Sequence, residues 1–330
     1  MTEEQVYNEA LQSIQLICDH LGGTMTGDAC RAPAPGKSQS NRSMMVSFNP
    51  SMKDNIFVYV FSDDSNEYTA EIMRMKDEWR ALGFLKSSEV ELTEEQKQKV
   101  IERSIQRKKE NREKAIKSAA RFWKNPERNK HPLGTVVQEY IEGTRGLYLP
   151  STTNLRHAVN IPFWDMEGDN SEPSFFSDAM MCRIEDCNTG EGIGIHLTYL
   201  DDNGEKNALC GDSPRKIRGA TENGCIRLWD GVSEVRAVAE GVESALAYSM
   251  CNKIPCDSSI NHHRMREYLP PEGCKKLYIA YDNDITKKRN VGLNSANILA
   301  EKIKKMGIAV ELHPSPFGCD WNDYTLSKCS

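Results

Sequence analysis

Val235-Arg236-Ala237-Val238-Ala239-Glu240-Gly241-Val242 decides how the C-terminal part of the chain folds. The first five residues, apolar except for Arg236, read as a short buried strand, and the helical spacing that follows runs to Met250. Between them stand an acid and a glycine, Glu240-Gly241. The pattern returns downstream. Lys276 to Tyr281 reads as a strand ending in Asp282-Asn283-Asp284. Leu293 to Met306 has Ala and Ile at helical spacing, Gly307 stops it, and Ile308 to Leu312 is strand-like again. Strands alternating with helices imply a parallel sheet covered by helices. Ligands of such sheets bind at the carboxyl ends of the strands, which is where both acidic motifs fall.

Asp282 and Asp284, two residues apart, can face one site from a turn that has left the strand. Glu240 brings a third acid from another strand to the same edge. Like charges gathered without a counter-charge repel, so three convergent acids call for a cation. Oxygen ligands suit a hard ion, and Mg²⁺ (or Mn²⁺) is commonly held by one or two carboxylates plus substrate phosphates.

Upstream the texture differs. Glu3 to Leu21 has near-helical apolar spacing and Gly22-Gly23 stops it. Met44 to Phe48 and Ile56 to Phe61 are strand-like, and Tyr68 to Leu82 is helical with Gly83 as its end, making a small α+β unit. Thr93-Glu94-Glu95-Gln96 is a capping-box pattern that opens a long charged helix to about Trp123, closed by Pro126 and His131-Pro132. From Lys97 to Lys130 there are thirteen Lys or Arg against four Glu, a local excess of nine positive charges hidden inside a net charge of −6. Local potential is what attracts phosphate, so Lys108, Lys109 and Arg112 are candidate nucleic-acid contacts, with Phe122-Trp123 at the basic end. From Gly134 to Leu228 short strands and hairpins are expected. Ile193 to Leu200 is an apolar run, Asp201-Asp202-Asn203-Gly204 a turn, and Lys206 to Cys210 the return. The turn lacks the distal Glu of a calcium loop. The basic loop Arg215-Lys216-Ile217-Arg218-Gly219 follows.

Ala239 to Leu246 resembles the Toprim signature of an acid and a glycine after a strand, Tyr281 to Asp284 resembles its Asp-x-Asp, and Cys319-Asp320-Trp321-Asn322-Asp323 is similar to the closing Asp-Trp-Asn-Asp of many mobile-element members. Asp178-Ala179-Met180, Gly194 to Tyr199 and Gly219 to Leu228 are similar to the primase-like region that precedes Toprim in phage and plasmid primases. Leu21 to Thr24 with Cys30 to Pro33 resembles the start of their zinc-binding domain. The chain thus resembles Toprim-domain DNA primase-like proteins of phages, plasmids and other mobile elements. That implies α+β and α/β architecture in several domains. The expected boundaries are a degenerate zinc-ribbon-like α+β domain at 1–88, a basic helical linker at 89–130, a mixed primase-type subdomain at 131–230 and a Toprim domain at 231–330, its parallel sheet flanked by helices. Arg31-Ala32-Pro33 replaces the ligand-bearing Cys-Pro-x-His position and no second ligand pair follows, so no zinc is expected.

The function implied is Mg²⁺-dependent nucleotidyl transfer from nucleoside triphosphates, making short RNA primers on single-stranded DNA. The resemblance assigns catalysis and metal to Glu240, Asp282 and Asp284, adds Asp320 as a metal ligand, and suggests Lys216, Arg218 and Arg227 for triphosphate or template. A hydrolytic Toprim nuclease, or a regulatory nucleic-acid-binding protein that keeps the fold, would use the same acids differently. Gly36-Lys37-Ser38 is not a P-loop, because Arg31 stands where the earlier glycine belongs. The seven residues after Asp323 leave no room for a helicase motor, so a separately encoded helicase is expected. No apolar run reaches the roughly 20 residues of a bilayer span, and the acidic start MTEEQVYNEA is no signal peptide. Eleven cysteines without a C-x-x-C read as buried thiols in a reducing compartment. The expectation is a cytoplasmic protein without membrane contact, in the bacterial host's cytoplasm if phage-encoded.

Overall fold

Among the described residues, three sheets organise the chain. The computed structural model describes residues 3–37, 42–50, 52, 54–61, 68–85, 94–164, 172–211, 214–231, 233–283, 291–316 and 320–329. Ser38, Thr93, Asp284 and Cys319, named above, lie outside the described residues. Two compact units divide at Glu110 and Asn111.

In the first unit, helix α1 (Glu3–His20) lays Ala10, Ile14, Ile17 and Cys18 on an antiparallel sheet. That sheet runs β1 (Thr24–Thr26), β2 (Ala29–Ala32), β3 (Met44–Phe48) and β4 (Ile56–Val60) in sequence order. Helix α2 (Thr69–Ala81) adds Trp79, which is fully buried. Gly23 lets two segments close in: a Cβ there would lie 2.7 Å from Cys30 Sγ and 2.8 Å from the Arg31 carbonyl oxygen. Cys18 and Cys30 are both buried behind it, and burial pushes both thiols above the ordinary cysteine value. Helix α3 (Glu94–Lys124) follows.

The second unit opens with an antiparallel sheet: β5 (Asn129–Lys130), β6 (Leu155–Phe163), β7 (Phe175–Asp186), β8 (Gly192–Leu200) and β9 (Arg215–Gly219) in that order, with β10 (Gly224–Cys225) on β7. Between β5 and β6, helix α4 (Val136–Gln138) runs into a π-helical turn, Glu139–Thr144. Ile195, Leu197 and Tyr199 on one face of β8 pack with Ala119, Phe122 and Trp123, so the end of α3 is core to this unit and not a free linker. The opposite face, with Met180, Cys182 and Ile184, packs against the third sheet.

That third sheet is parallel in the order β12-β11-β13-β14. It comprises β11 (Val235–Ala239), α5 (Val242–Asn252), β12 (Cys256–Ser258), α6 (His262–Met265), β13 (Lys276–Tyr281), α7 (Val291–Lys305), β14 (Ala309–Pro314) and α8 (Trp321–Cys329). Ile226 and Ser258 exchange two backbone hydrogen bonds, 2.8 and 3.0 Å, and so staple the antiparallel half to the parallel one.

Two expectations need correction. The return strand at Lys206 to Cys210 does not form. The Asn207 side chain accepts from Leu209 N at 2.9 Å and winds Ala208–Cys210 into a 3₁₀ turn, leaving β8 to pair with the residues expected as a basic loop. That loop, Arg215 to Gly219, is strand β9. Among the described residues no helix is long and apolar enough to cross a membrane.

Candidate active site

A pocket of about 270 Å³ lies at the carboxyl edge of the parallel sheet, where the antiparallel half closes over it. Glu240 follows β11 directly and Asp282 follows β13, so two neighbouring strands deliver them to the same edge. The Asp282 turn is pinned on both sides. Asn283 N donates to Ser315 Oγ at 2.8 Å, and Ser315 N donates to the Tyr281 carbonyl at 2.8 Å. Gly292, in the first turn of α7, leaves the space the acids need. A Cβ at that position would stand 2.8 Å from Glu240 Oε1 and 2.9 Å from the Asp282 carbonyl oxygen. Asp320 joins the lining, and its Oδ1 accepts from Asp323 N at 2.7 Å, capping α8.

The opposite wall is basic. Arg145, Lys206 and Arg215 line the same pocket. They are tied to the parallel half through two anchors. Asn322 donates from Nδ2 to the Arg145 carbonyl at 3.0 Å and accepts from Arg145 Nη1 at 3.4 Å, while its neighbour Trp321 packs edge-on against Tyr248. Glu243, buried in the first turn of α5, accepts from Tyr140 Oη at 2.6 Å and Arg215 Nη2 at 2.7 Å, with Lys206 Nζ at 3.8 Å. Burial alone would raise the Glu243 pKa, but Arg215, Tyr140 and Lys206 together hold it far below the usual carboxylate range. Burial also lowers Lys206, against the pull of Glu243.

The residues expected to bind nucleotide lie elsewhere. Side chains alternate across a strand, so Arg215, which lines the pocket, lies on the opposite face of β9 from Lys216 and Arg218. Lys216 sits 4.8 Å from the Phe163 ring centroid, and Arg218 lies over Phe122 and Trp164. Arg227 turns inward. Its guanidinium donates to Asp257 Oδ2 at 2.6 Å, to Tyr268 Oη at 3.0 Å and to the Leu269 carbonyl at 2.9 Å. Arg236, which is 2% exposed, adds a second charge 3.6 Å from Asp257. Arg227 therefore belongs to a buried ion-pair network and does not line the pocket. Lys108 and Lys109 are exposed on the part of α3 in the first unit, and Arg112 lies 3.8 Å from Glu222. The strand period of Arg215 to Gly219 was the signal that could have singled out Arg215. Nothing local marks Arg145, which sits just past the π-helical turn.

The donor set is oxygen-only on the acidic wall, which fits a hard cation such as Mg²⁺ or Mn²⁺. Among the described residues no group of three or more His, Cys, Asp and Glu is close enough to hold a metal ion unaided. Mg²⁺ commonly needs only one or two carboxylates with substrate phosphates, and Arg145, Lys206 and Arg215 line the same pocket.

Comparison with known proteins follows the same division. Residues 113–228 match a family model described as a domain of unknown function (DUF7146), and residues 235–330 match the Toprim domain model. No curated protein matches the chain. Among solved structures, the chain is similar to a DNA primase domain from Pseudomonas aeruginosa, at 15% identity over 60% of this chain and 70% of that one, with a TM-score of 0.40. The E. coli primase catalytic core is similar at 14% identity over 66% and 75%, TM-score 0.40. The primase fragment of the bacteriophage T7 primase-helicase is similar at 14% over 62% and 76%, TM-score 0.38. Residues 235–330, which carry Glu240, Asp282 and Asp320, are therefore a Toprim domain.

Proposed function

We propose that this protein is a primase-type nucleotidyltransferase that joins ribonucleotides on a single-stranded DNA template. One observation carries the reading: acids from the parallel half (Glu240, Asp282, Asp320) and cations from the antiparallel half (Arg145, Lys206, Arg215) line one pocket. Phosphoryl chemistry needs both, a cation site for the attacking oxygen and α-phosphate and fixed positive charge for the rest of the triphosphate. Glu240 and Asp282 would hold Mg²⁺ or Mn²⁺, together with Asp284 and with Asp320 at the rim. The metal supplies Lewis-acid stabilisation of the charge that develops on the transferred phosphate. Arg145, Lys206 and Arg215 orient the β- and γ-phosphates, and Glu243 keeps Arg215 in place before substrate arrives. The exposed cations of α3 and a separately encoded helicase would bring the template.

The test is a primer-synthesis assay with purified protein, Mg²⁺, the four NTPs and single-stranded DNA. Wild type is expected to make short oligoribonucleotides, and Asp282→Ala to lose about 10²–10³-fold in rate or more, since it removes a principal electrostatic stabiliser. Cleavage of labelled DNA in the absence of NTPs, with no primer made, would replace this reading by a nuclease.

A further inference from the structure

Among the described residues two pairs of cysteines meet thiol to thiol, and their surroundings differ. Cys18 and Cys30 hydrogen-bond to each other and are both buried. Burial pushes both thiols up, which withholds the thiolate, the form that attacks an oxidant. Cys187 and Cys225 form the second pair. Cys225 on β10 stands opposite Glu185 on β7, and Cys187 N donates to the Asn223 carbonyl at 2.8 Å. The same antiparallel register therefore runs on and sets Cys187 diagonally across from Cys225. Both pack on one apolar cluster, and their thiols hydrogen-bond to each other. Cys225 is fully buried, whereas Cys187, at the end of the ladder, is partly exposed.

Two cations act on Cys187. One is Arg227, and the other is Lys302, whose Nζ is held by the Glu267 and Tyr268 carbonyls at 2.8 and 3.3 Å; the buried Asp257 opposes them. The Cys225 thiol, the Leu269 backbone and Arg227 hold the Cys187 pKa below the ordinary cysteine value despite burial, and the proton of the pair stays on Cys225. A redox pair needs that division: an accessible thiolate that attacks and a neighbouring thiol that resolves. We propose that Cys187 is a peroxide-reactive cysteine and Cys225 its resolving partner, a modification site apart from the reaction pocket, whose lining includes neither. The Cys187 thiolate attacks one oxygen of hydrogen peroxide, the O–O bond breaks and hydroxide leaves, giving a sulfenic acid on Cys187. The Cys225 thiol then attacks the Cys187 sulfur. The S–S bond forms as the S–O bond breaks, and water leaves with the Cys225 proton. The proton first shed by Cys187 neutralises the hydroxide, so two thiols and one peroxide give one disulfide and two waters. The bond ties β10 to β7 one residue from Ile226, whose hydrogen bonds to Ser258 join the two halves.

Timed oxidation of the full chain tests it. The reduced protein is exposed to hydrogen peroxide, quenched at intervals with an alkylating reagent, digested and read by mass spectrometry. A Cys187–Cys225 cross-linked peptide is expected, lighter by two hydrogen atoms and lost again on reduction. It should form at least about 10-fold faster than any Cys18–Cys30 link. Cys225→Ala should stop at the sulfenic acid, trapped as a dimedone adduct on Cys187, and Cys187→Ser should leave Cys225 reduced. The exposed Cys251 reports that oxidant reached the protein. Oxidation of Cys251 with Cys187 still reduced, equal rates for the two pairs, or a folded Cys225→Ala without the adduct would each overturn the assignment. If Cys225→Ala does not fold, the wild-type rates decide alone. These readouts need no nucleotide or template, so the assignment stands or falls separately from the nucleotidyl-transfer reading.

Discussion

The two sheets of the second unit contribute to the pocket in opposite ways. The parallel sheet presents backbone ends: Glu240 and Asp282 each stand at the first residue beyond a strand, and their place follows from strand order alone. The antiparallel half presents a face at β9, where the pleat decides the cation, so shifting the register by one residue would exchange Arg215 for Lys216, whereas Arg145 and Lys206 come from outside its strands. Edge positions are fixed by topology and face positions by register. The acidic wall therefore tolerates imprecise reading of the chain, and the basic wall does not.

Several variants would break or sharpen that contrast, beginning with the largest effect. Arg227→Gln is expected to cost about 3–5 kcal/mol in chemical denaturation, because it leaves Asp257, fully buried, without its closest counter-charge. An intact stability with weakened nucleotide binding would return Arg227 to the substrate side. Glu243→Gln should cost about 2–3 kcal/mol of stability. That is less than a fully buried pair, because the Arg215 side chain is 47% exposed. The same change should raise the KM for NTP, since Arg215 and Lys206 lose the carboxylate that positions them. The Glu243 contribution also has a pH signature. Its folded pKa lies below the unfolded value, so the stabilisation is present above about pH 4.5 and is lost as pH falls below it. The gap in stability between wild type and Glu243→Gln should narrow on acidification through that window, as measured by urea unfolding at a series of pH values. The smallest effect is the most discriminating. Arg215→Gln should raise the KM for NTP about 10-fold and Arg218→Gln less than about 2-fold, although the two arginines lie three residues apart on one strand. Equal effects would mean that the two faces of β9 do not divide the labour as described.

How much of this was legible in the sequence follows the same physics. Ala237 to Ala239 and Leu277 to Tyr281 are short, largely buried apolar runs, and a residue just beyond such a run has a defined place. Glu240 and Asp282 were readable for that reason. Strand β12, only three residues long, carries too little pattern to be seen, although it anchors the Ile226–Ser258 staple and Asp257. Arg215 to Gly219 looks like a loop because four of its five residues are charged or glycine. It is a strand because β8 offers it an open edge, which is tertiary information. Arg227 was named for substrate because a buried arginine and a phosphate-binding one have the same spelling. Only the presence of Asp257 and Tyr268, some thirty to forty residues away, separates them. Glu243 was quoted with the Toprim-like signature but given no role, because its partners Tyr140 and Arg215 come from the other half. Asp284 lies outside the described residues, and its part in the acidic set remains a proposal.

The central claim is that acids from the parallel sheet and cations from the antiparallel face form one reaction site. Primer synthesis by Asp282→Ala and Arg215→Gln, measured side by side with wild type on single-stranded DNA across NTP concentrations, tests it most directly. The account predicts that Asp282→Ala abolishes kcat, whereas Arg215→Gln keeps the reaction but needs about 10-fold more NTP. Wild-type kinetics in Arg215→Gln beside a dead Asp282→Ala would contradict it, by showing that the acidic wall works without the basic one.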